Sequence, residues 1–320
     1  MEAAPLRHQI ARMRIHHINA ISTCPAGGAL FDGRTLGLRA RLACHCLLVE
    51  AANELVLVDT GLGLRDCASP RKRLSKFFLA LLSPEFREEM TAIRQIERLG
   101  FDPRDVRHIV LSHLDFDHAG GLDDFPGATV HMLLAEQETA QRRRTVLDRM
   151  RYRPQQWGTR PNWRAYRAGE GESWFGFDCV RGLHGLPEDI LLVPLIGHTM
   201  GHAGIAVRGD RGWVLQAADA YFWHAEMDAR PRCTPGLRFY QRLMEKDRRA
   251  RLWNQDRLRA LRAEHGREVE ILCGHDPIEF ERVAKRPLGT PAPQALRGNP
   301  EPAREREGGI RLVSPGGDFP

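Results

Sequence analysis

The feature that most constrains this chain is a cluster of ionisable side chains that follows a short apolar run. Residues 109–111 are apolar, and the next segment, HLDFDHAGG, carries His113, Asp115, Asp117 and His118. Four such side chains cannot share one face of a strand or helix, but a tight loop at a strand end can direct them into one cavity. Burying them together is costly unless a cation relieves the cost. The segment therefore predicts a metal site, and the alternative is a polar surface turn.

Three later segments place a metal-binding residue type at the same kind of position. His198 follows the apolar run that ends at Ile196, Asp219 follows the run 214–218, and His275 follows the run 269–273. A single His or Asp at such a place is more often structural. Several of them, each directly after an apolar run, favour one shared site at the ends of several strands.

Alternating apolar segments predict a fold of the α/β class. Strands are expected at 13–20, 43–50, 54–59, 109–111, 129–133, 190–196, 213–217 and 269–273. Ser83-Pro84-Glu85 predicts the start of a helix that Gly100 closes, and a second long helix is expected between residues 237 and 265. The alternation of strands and helices indicates stacked sheets with helices outside.

The predicted domain organisation is one domain with extensions at both ends. Residues 1–12 are interpreted as a flexible extension, 13–286 as the domain with a helical insertion at 64–100, and 287–320 as a disordered tail rich in Pro and Gly. Within the insertion, the apolar residues 77–82 are expected to form a substrate groove or a homodimer interface.

Composition excludes several classes of protein. The formal charge of +6 comes from scattered Arg-rich stretches without interleaved aromatic residues, so no nucleic-acid partner is expected. The seven cysteines do not resemble a disulfide framework. No apolar run is long enough to span a membrane, and the N-terminal segment lacks the apolar region of a secretory signal. A cytoplasmic protein without a membrane partner is expected.

The order of these motifs resembles the metallo-β-lactamase superfamily over roughly residues 13–285. The matching residues are Asp59 in LVLVDTG, the cluster at 113–118, His198 in GHTMGH, Asp219 and His275. The flanks VRHIVLSH and DFDHAGGL and the helical insertion are most similar to N-acyl homoserine lactonases and related hydrolases. The resemblance implies an αββα sandwich, in which two stacked mixed β-sheets are flanked by helices.

The resemblance also implies two divalent metal ions and a role for each ligand. One ion would be bound by His113, Asp115 and His198, and the other by Asp117, His118 and His275, while Asp219 would bridge both and Asp59 would orient a ligand. Zinc is the expected metal. Since the family usually has His where this chain has Asp115, an anionic ligand would make the site less positive, and manganese or iron are the alternatives.

The chemistry implied is hydrolysis of a small-molecule carboxylic ester or lactone. The metals would lower the pKa of water toward ~7, and the resulting hydroxide would attack a carbonyl. Asp117 is expected to guide the proton, and Tyr221 to assist the oxyanion, although the helpful Tyr of related lactonases aligns with Phe222. His202 is interpreted as packing behind the ligands, and His224 as either lining the pocket or lying at the surface.

Four other functions are considered. Asp115 resembles the carboxylate of iron-dependent redox enzymes of the same fold, although no flavin-binding domain accompanies it. A thioesterase resembling glyoxalase II would use the same site. A nuclease would need a clamp domain for nucleic acid, and a non-catalytic sensor would not need the complete set of ligands.

Overall fold

The computed structural model describes residues 13–51, 54–157, 162–169, 172–180 and 182–295. Within these ranges the chain forms two main sheets, a short two-stranded ribbon and twelve α-helices. The strands are β1 (Arg14–Asn19), β2 (His45–Ala51), β3 (Glu54–Val58), β4 (Val106–Val110), β5 (Thr129–Leu133), β6 (Trp163–Tyr166), β7 (Ser173–Trp174), β8 (Phe177–Asp178), β9 (Ile190–Pro194), β10 (Ala203–Gly209), β11 (Gly212–Gln216) and β12 (Val269–Leu272).

The helices connect these strands and cover the sheets. They are α1 (Ala29–Asp32), α2 (Leu64–Ala68), α3 (Pro70–Arg73), α4 (Lys76–Leu82), α5 (Ala92–Arg98), α6 (Phe116–Ala119), α7 (Leu134–Arg142), α8 (Val146–Arg151), α9 (Pro154–Trp157), α10 (Pro235–Met244), α11 (Arg248–His265) and α12 (Pro277–Ala284). Among the described residues, none of these helices combines the length and apolarity needed to cross a bilayer.

The strand order brings several strand ends to common edges. One sheet has the order β1-β2-β3-β4-β5-β6, in which β3 to β6 are parallel. The other has the order β12-β11-β10-β9, in which β11 and β12 are parallel and β10 is antiparallel to both β9 and β11. Strands β9, β11 and β12 therefore run in one direction, and the loops that follow them lie at one edge.

The apolar strands are explained by burial on both faces of each main sheet. Side chains alternate along β2, so that Leu47 and Val49 pack with Ile205 of the opposite sheet, while Leu48 packs with Ile96 of α5. The outer face of the second sheet is covered in turn by Leu258 of α11. The mixed sheets flanked by helices confirm the predicted αββα sandwich.

Two helix predictions are wrong. The chain after α4 is irregular and forms only a 3-10 turn at Glu88–Met90, so the helix predicted to start at Ser83 begins at Ala92, after Thr91 in an extended conformation (φ −63°, ψ 151°). The single helix expected between 237 and 265 is two helices. Asp247 accepts a hydrogen bond from the backbone N–H of Ala250 and starts α11 as its N-cap.

The described part of the predicted tail is packed against the domain. Leu288 and Ala292 are both buried, the backbone carbonyl of Leu288 accepts from Asn19 (2.9 Å), and the backbone N–H of Ala292 donates to Gln95 (2.9 Å). Residues 287–295 thus differ from the predicted disorder, because apolar residues between the prolines find partners on β1 and α5. Residues 1–12 and 296–320 lie outside the described part of the chain.

Candidate metal centre

The predicted ligands lie on loops that follow the strands of both sheets. The segment after β4 carries His113 and Asp115 and continues into α6, whereas His198, Asp219 and His275 follow β9, β11 and β12. All seven predicted ligands are buried, and the structure brings them into two adjacent groups. The topology explains the convergence, because these loops meet where the two sheets face each other.

The first subsite consists of His113, Asp115, His198 and one oxygen of Asp219. His198 Nε2 lies 3.1 Å from Asp115 Oδ2 and 3.3 Å from Asp219 Oδ2. His113 Nε2 lies 3.5 Å and 3.7 Å from the same two oxygens. Ligands about 2.0–2.1 Å from a tetrahedral cation are separated by roughly 3.3 Å, so this spacing suits a metal ion such as zinc.

The second subsite consists of Asp117, His118, His275 and the other oxygen of Asp219. Asp219 Oδ1 lies 3.2 Å from His118 Nε2 and 3.1 Å from His275 Nε2, and the two imidazole nitrogens are 3.3 Å apart. Asp117 Oδ2 lies 3.8 Å from His275 Nε2. Because each subsite receives a different oxygen of Asp219, this carboxylate stands between them.

Two buried atoms support the fit of cations to this centre. His113 Nε2 and Asp219 Oδ1 are buried without a hydrogen-bond partner of adequate geometry among the described residues. Buried polar atoms are normally satisfied, and one such atom lies at each subsite. Imidazole nitrogens and carboxylate oxygens are suitable ligands for a divalent metal.

The imidazoles of the second subsite are held from behind. Asp59 (φ +53°) accepts hydrogen bonds from Ser112 and from His118 Nδ1 (2.8 Å), and His275 Nδ1 donates to the carbonyl of Ala43 (2.6 Å). Both rings therefore direct an unprotonated Nε2 at the centre when neutral. Burial disfavours the charged form of His118, but Asp219 and Asp59 raise its pKa well above the ordinary value.

The first subsite contains a residue that the sequence analysis missed. Arg151, at the end of α8, is fully buried and donates to both oxygens of Asp115, from Nε at 2.7 Å and from Nη2 at 2.5 Å. Burial alone would raise the pKa of Asp115, yet Arg151 holds it well below the usual range. The expected loss of positive charge at Asp115 is therefore offset. No sequence signal separates Arg151 from the neighbouring surface arginines.

Two further residues support the loops without facing a subsite. His202 donates from Nδ1 to the carbonyl of Leu195 (2.9 Å) and accepts at Nε2 from the backbone N–H of Asp219 (3.0 Å), so both its nitrogens are engaged. Glu136, which the sequence analysis did not single out, accepts from the N–H of Leu114 (2.9 Å) and the hydroxyl of Thr199 (2.5 Å). It ties the loop of His113 to that of His198.

Tyr221 and His224 are engaged elsewhere. The buried Tyr221 hydroxyl donates to the carboxylate of Glu279 (3.0 and 3.1 Å). His224 is partly exposed, and its Nδ1 lies 2.7 Å from Asp276 Oδ2. The buried Cys44 borders the second subsite, with its sulfur within 4.8 Å of donor atoms of Asp117 and His275.

A narrow, largely apolar cavity lies against the second subsite, and its volume of about 10 Å³ is enough for roughly one water molecule. Its lining residues are Thr23, Phe31, Leu42, Leu82, Asp117, Phe222, Leu237, Tyr240 and His275. Leu82 ends α4 of the predicted insertion, and Phe222 stacks on the ring of His275 (centroids 5.2 Å apart). A larger polar cleft near Arg14 and Gly266 contains none of the predicted ligands.

Comparison with known proteins agrees with this geometry. Residues 39–275 match the family model described as the metallo-beta-lactamase superfamily. A "probable metallo-hydrolase" of Mycobacterium tuberculosis is 38% identical over 269 residues, which cover 84% of this chain and 82% of that protein. An N-acyl homoserine lactonase of Bacillus cereus is 28% identical over 205 residues, 62% of this chain and 74% of the lactonase.

Solved structures show the same fold. An N-acyl homoserine lactone hydrolase, with the product N-hexanoyl-L-homoserine bound at its catalytic metal center, superposes with a TM-score of 0.62 and 22% identity, covering 84% of this chain and 95% of that chain. A dizinc quorum-quenching lactonase named AidC superposes with a TM-score of 0.54 and 15% identity, covering 84% and 89%.

Proposed function

The chain belongs to the metallo-beta-lactamase superfamily and is a metal-dependent hydrolase, and on this premise we propose that it uses two divalent cations to hydrolyse a lactone or carboxylic ester with an apolar chain. The observation that carries the proposal is the pair of adjacent buried His/Asp groups that share Asp219, next to which apolar side chains line a narrow cavity. An acyl group would bind against these apolar side chains, and the narrow cavity would have to widen to admit it.

The donor set is suited to zinc. His113, Asp115 and His198 would hold one ion, Asp117, His118 and His275 the other, with Asp219 between them. Divalent cations bound there supply Lewis acidity and lower the pKa of water toward ~7. Asp117 lines the cavity beside His275, so its carboxylate is placed to accept a proton and pass it to the leaving oxygen.

The cavity favours an acyl chain over a charged substrate. Its apolar wall is formed by Leu42, Leu82, Leu237 and Phe222. The ester or lactone end of a bound substrate would face Asp117. The similar Bacillus cereus protein is named an N-acyl homoserine lactonase, and that substrate combines a lactone with an acyl chain. N-acyl homoserine lactones are therefore the first substrates to test.

Tyr240 is the proposed hydrogen-bond donor to the substrate. It lines the cavity from α10 and packs edge-on against Phe222, which occupies the place where related lactonases carry their Tyr. Burial, and then Asp117, Asp115 and Asp219, raise its pKa well above the ordinary value, so the phenol keeps its proton and can donate. Tyr221 has no role in this proposal, because its hydroxyl is committed to Glu279.

The deciding experiment compares zinc-loaded protein with the same protein after chelation. The substrate panel contains N-acyl homoserine lactones of increasing chain length, aryl esters and a glutathione thioester. We expect zinc-dependent opening of lactones that improves with chain length and is lost in Asp117→Asn. Exclusive cleavage of the thioester would indicate the activity of a thioesterase, and loaded protein that leaves the whole panel intact would contradict the proposal.

A further inference from the structure

Arg151 places a fixed positive charge inside the first subsite. Its guanidinium is fully buried and makes four contacts: with both oxygens of Asp115, with the carbonyl of Met244 (2.8 Å from Nη1), and with His198 Nε2 (2.8 Å from Nη2). No Arg or Lys side chain within the described ranges makes a comparable contact to Asp117, His118 or His275. The two subsites thus differ in charge although they have similar sets of ligands.

The contact with His198 competes directly with a metal ion. A guanidinium has only donors, so His198 Nε2 must be the acceptor of the N–H from Arg151. A neutral imidazole has one lone pair at this nitrogen, and a cation in the first subsite needs the same lone pair. The hydrogen bond and the metal–nitrogen bond therefore exclude each other.

Asp115 is also shared. Its Oδ2 atom, which lies 3.1 Å from His198 Nε2, accepts from the same Nη2 of Arg151. Asp115 and Arg151 together carry no net charge, and in this respect the pair resembles a neutral His ligand. Unlike a His ligand, however, the pair places a positively charged guanidinium next to the position that the cation would occupy. Of the four members of the first subsite, only His113 and Asp219 have no contact with Arg151.

We propose that Arg151 makes the first subsite the weaker of two metal sites, so that zinc fills the second subsite first and enters the first only when the guanidinium releases His198. This inference rests on the metal centre of the proposed function, but not on its substrate. The expected difference in dissociation constant is at least about tenfold, the factor associated with one hydrogen bond to a charged group (about 1.4 kcal/mol).

The test is a zinc titration of chelator-treated, full-length protein. Binding is measured by calorimetry and by competition with a chromophoric chelator. Cobalt titration adds a spectroscopic readout, because its visible absorption reports the ligand geometry at each step. Wild-type protein is expected to bind two ions in two resolved steps. Arg151→Met should bring the two dissociation constants within about threefold of each other by strengthening the weaker step. Arg149→Met, an exposed arginine on the same helix, is the matched control and should leave both steps unchanged.

Replacement of Asp115 provides a second test through a double-mutant cycle. Asp115→His alone should weaken the first subsite further, since the buried Arg151 loses its anion and faces the zinc uncompensated. Adding Arg151→Met to Asp115→His should restore and tighten the step, and this double variant also decides the question if Arg151→Met alone does not fold.

Two equal zinc sites in the wild-type protein would overturn the inference. Loss of the weaker step in folded Arg151→Met would also overturn it, since Arg151 would then support the subsite rather than compete for it. Both results are read without substrate. They are therefore distinguishable from a failure of the proposed hydrolase activity, which would leave the titrations unaffected.

Discussion

The two subsites share Asp219 but differ in how their imidazoles are held. In the second subsite, His118 and His275 are anchored through Nδ1 by Asp59 and Ala43, and each Nε2 is directed at the centre. In the first subsite, His198 Nδ1 has no hydrogen-bond partner among the described residues, and its Nε2 contacts Arg151. Similar ligand counts therefore do not mean equal sites, because the orientation and the competing donors of each ligand decide how readily a cation binds.

The largest expected effect comes from the residue that the subsites share. Asp219→Ala removes a carboxylate oxygen from each subsite, so we expect metal content to fall to one zinc per chain or fewer and kcat/KM to fall by about three orders of magnitude or more. Elemental analysis and lactone hydrolysis measure the two effects. Retention of two zinc ions per chain would contradict the placement of Asp219 between the subsites.

A matched pair of ligand variants tests the asymmetry itself. His118→Asn should abolish the tighter zinc step, because it removes an anchored imidazole, whereas His113→Asn should leave that step intact and remove only the weaker one. Activity should fall by about 10²-fold or more in both, since each ion contributes to charge stabilisation. Zinc titration distinguishes them, and the same residual stoichiometry and affinity in both variants would show that the subsites are equivalent.

Two supporting carboxylates extend the comparison beyond the ligands. Asp59→Asn weakens the orientation of His118, so zinc affinity at the second subsite should fall by about 10- to 100-fold. Glu136→Gln disturbs the loops of Leu114 and Thr199, and its smaller effect should appear at the first subsite. Competition with a chelator gives both affinities. If Asp59→Asn changes only the weaker zinc step, the assignment of Asp59 to the second subsite is wrong.

The sequence predicted eight of the twelve strands and the ligand-bearing loops, because apolar periodicity and strand-end His and Asp residues are local signals. It did not predict the short strands β6, β7 and β8. It also did not predict β10, whose Ala203–Gly209 stretch contains two glycines and begins directly after the ligand loop. It also missed the break between α10 and α11, which depends on the N-cap at Asp247. Helix caps of this kind are short and easily hidden in a charged segment.

The positions of Arg151 and Tyr240 could not be predicted from local sequence patterns. Arg151 lies 36 residues from Asp115 in the sequence. Tyr240 reaches the cavity from α10, which follows β11. Nothing in the composition of either segment marks these side chains as buried. Their positions depend on the packing of α8 and α10 against the ligand loops, which is a property of the tertiary structure.

The smallest expected effect tests whether the cavity belongs to the second subsite. Tyr240→Phe removes only the proposed donor, so kcat should fall by about tenfold with both zinc steps unchanged, in keeping with the loss of one hydrogen bond to a developing charge. Tyr221→Phe is the matched control. It breaks the buried bond to Glu279 and should lower the free energy of unfolding by about 1 kcal/mol without changing kcat. If Tyr221→Phe lowers kcat while Tyr240→Phe does not, the substrate carbonyl lies on the other side of Phe222, and the cavity over Asp117 is not where the acyl group binds.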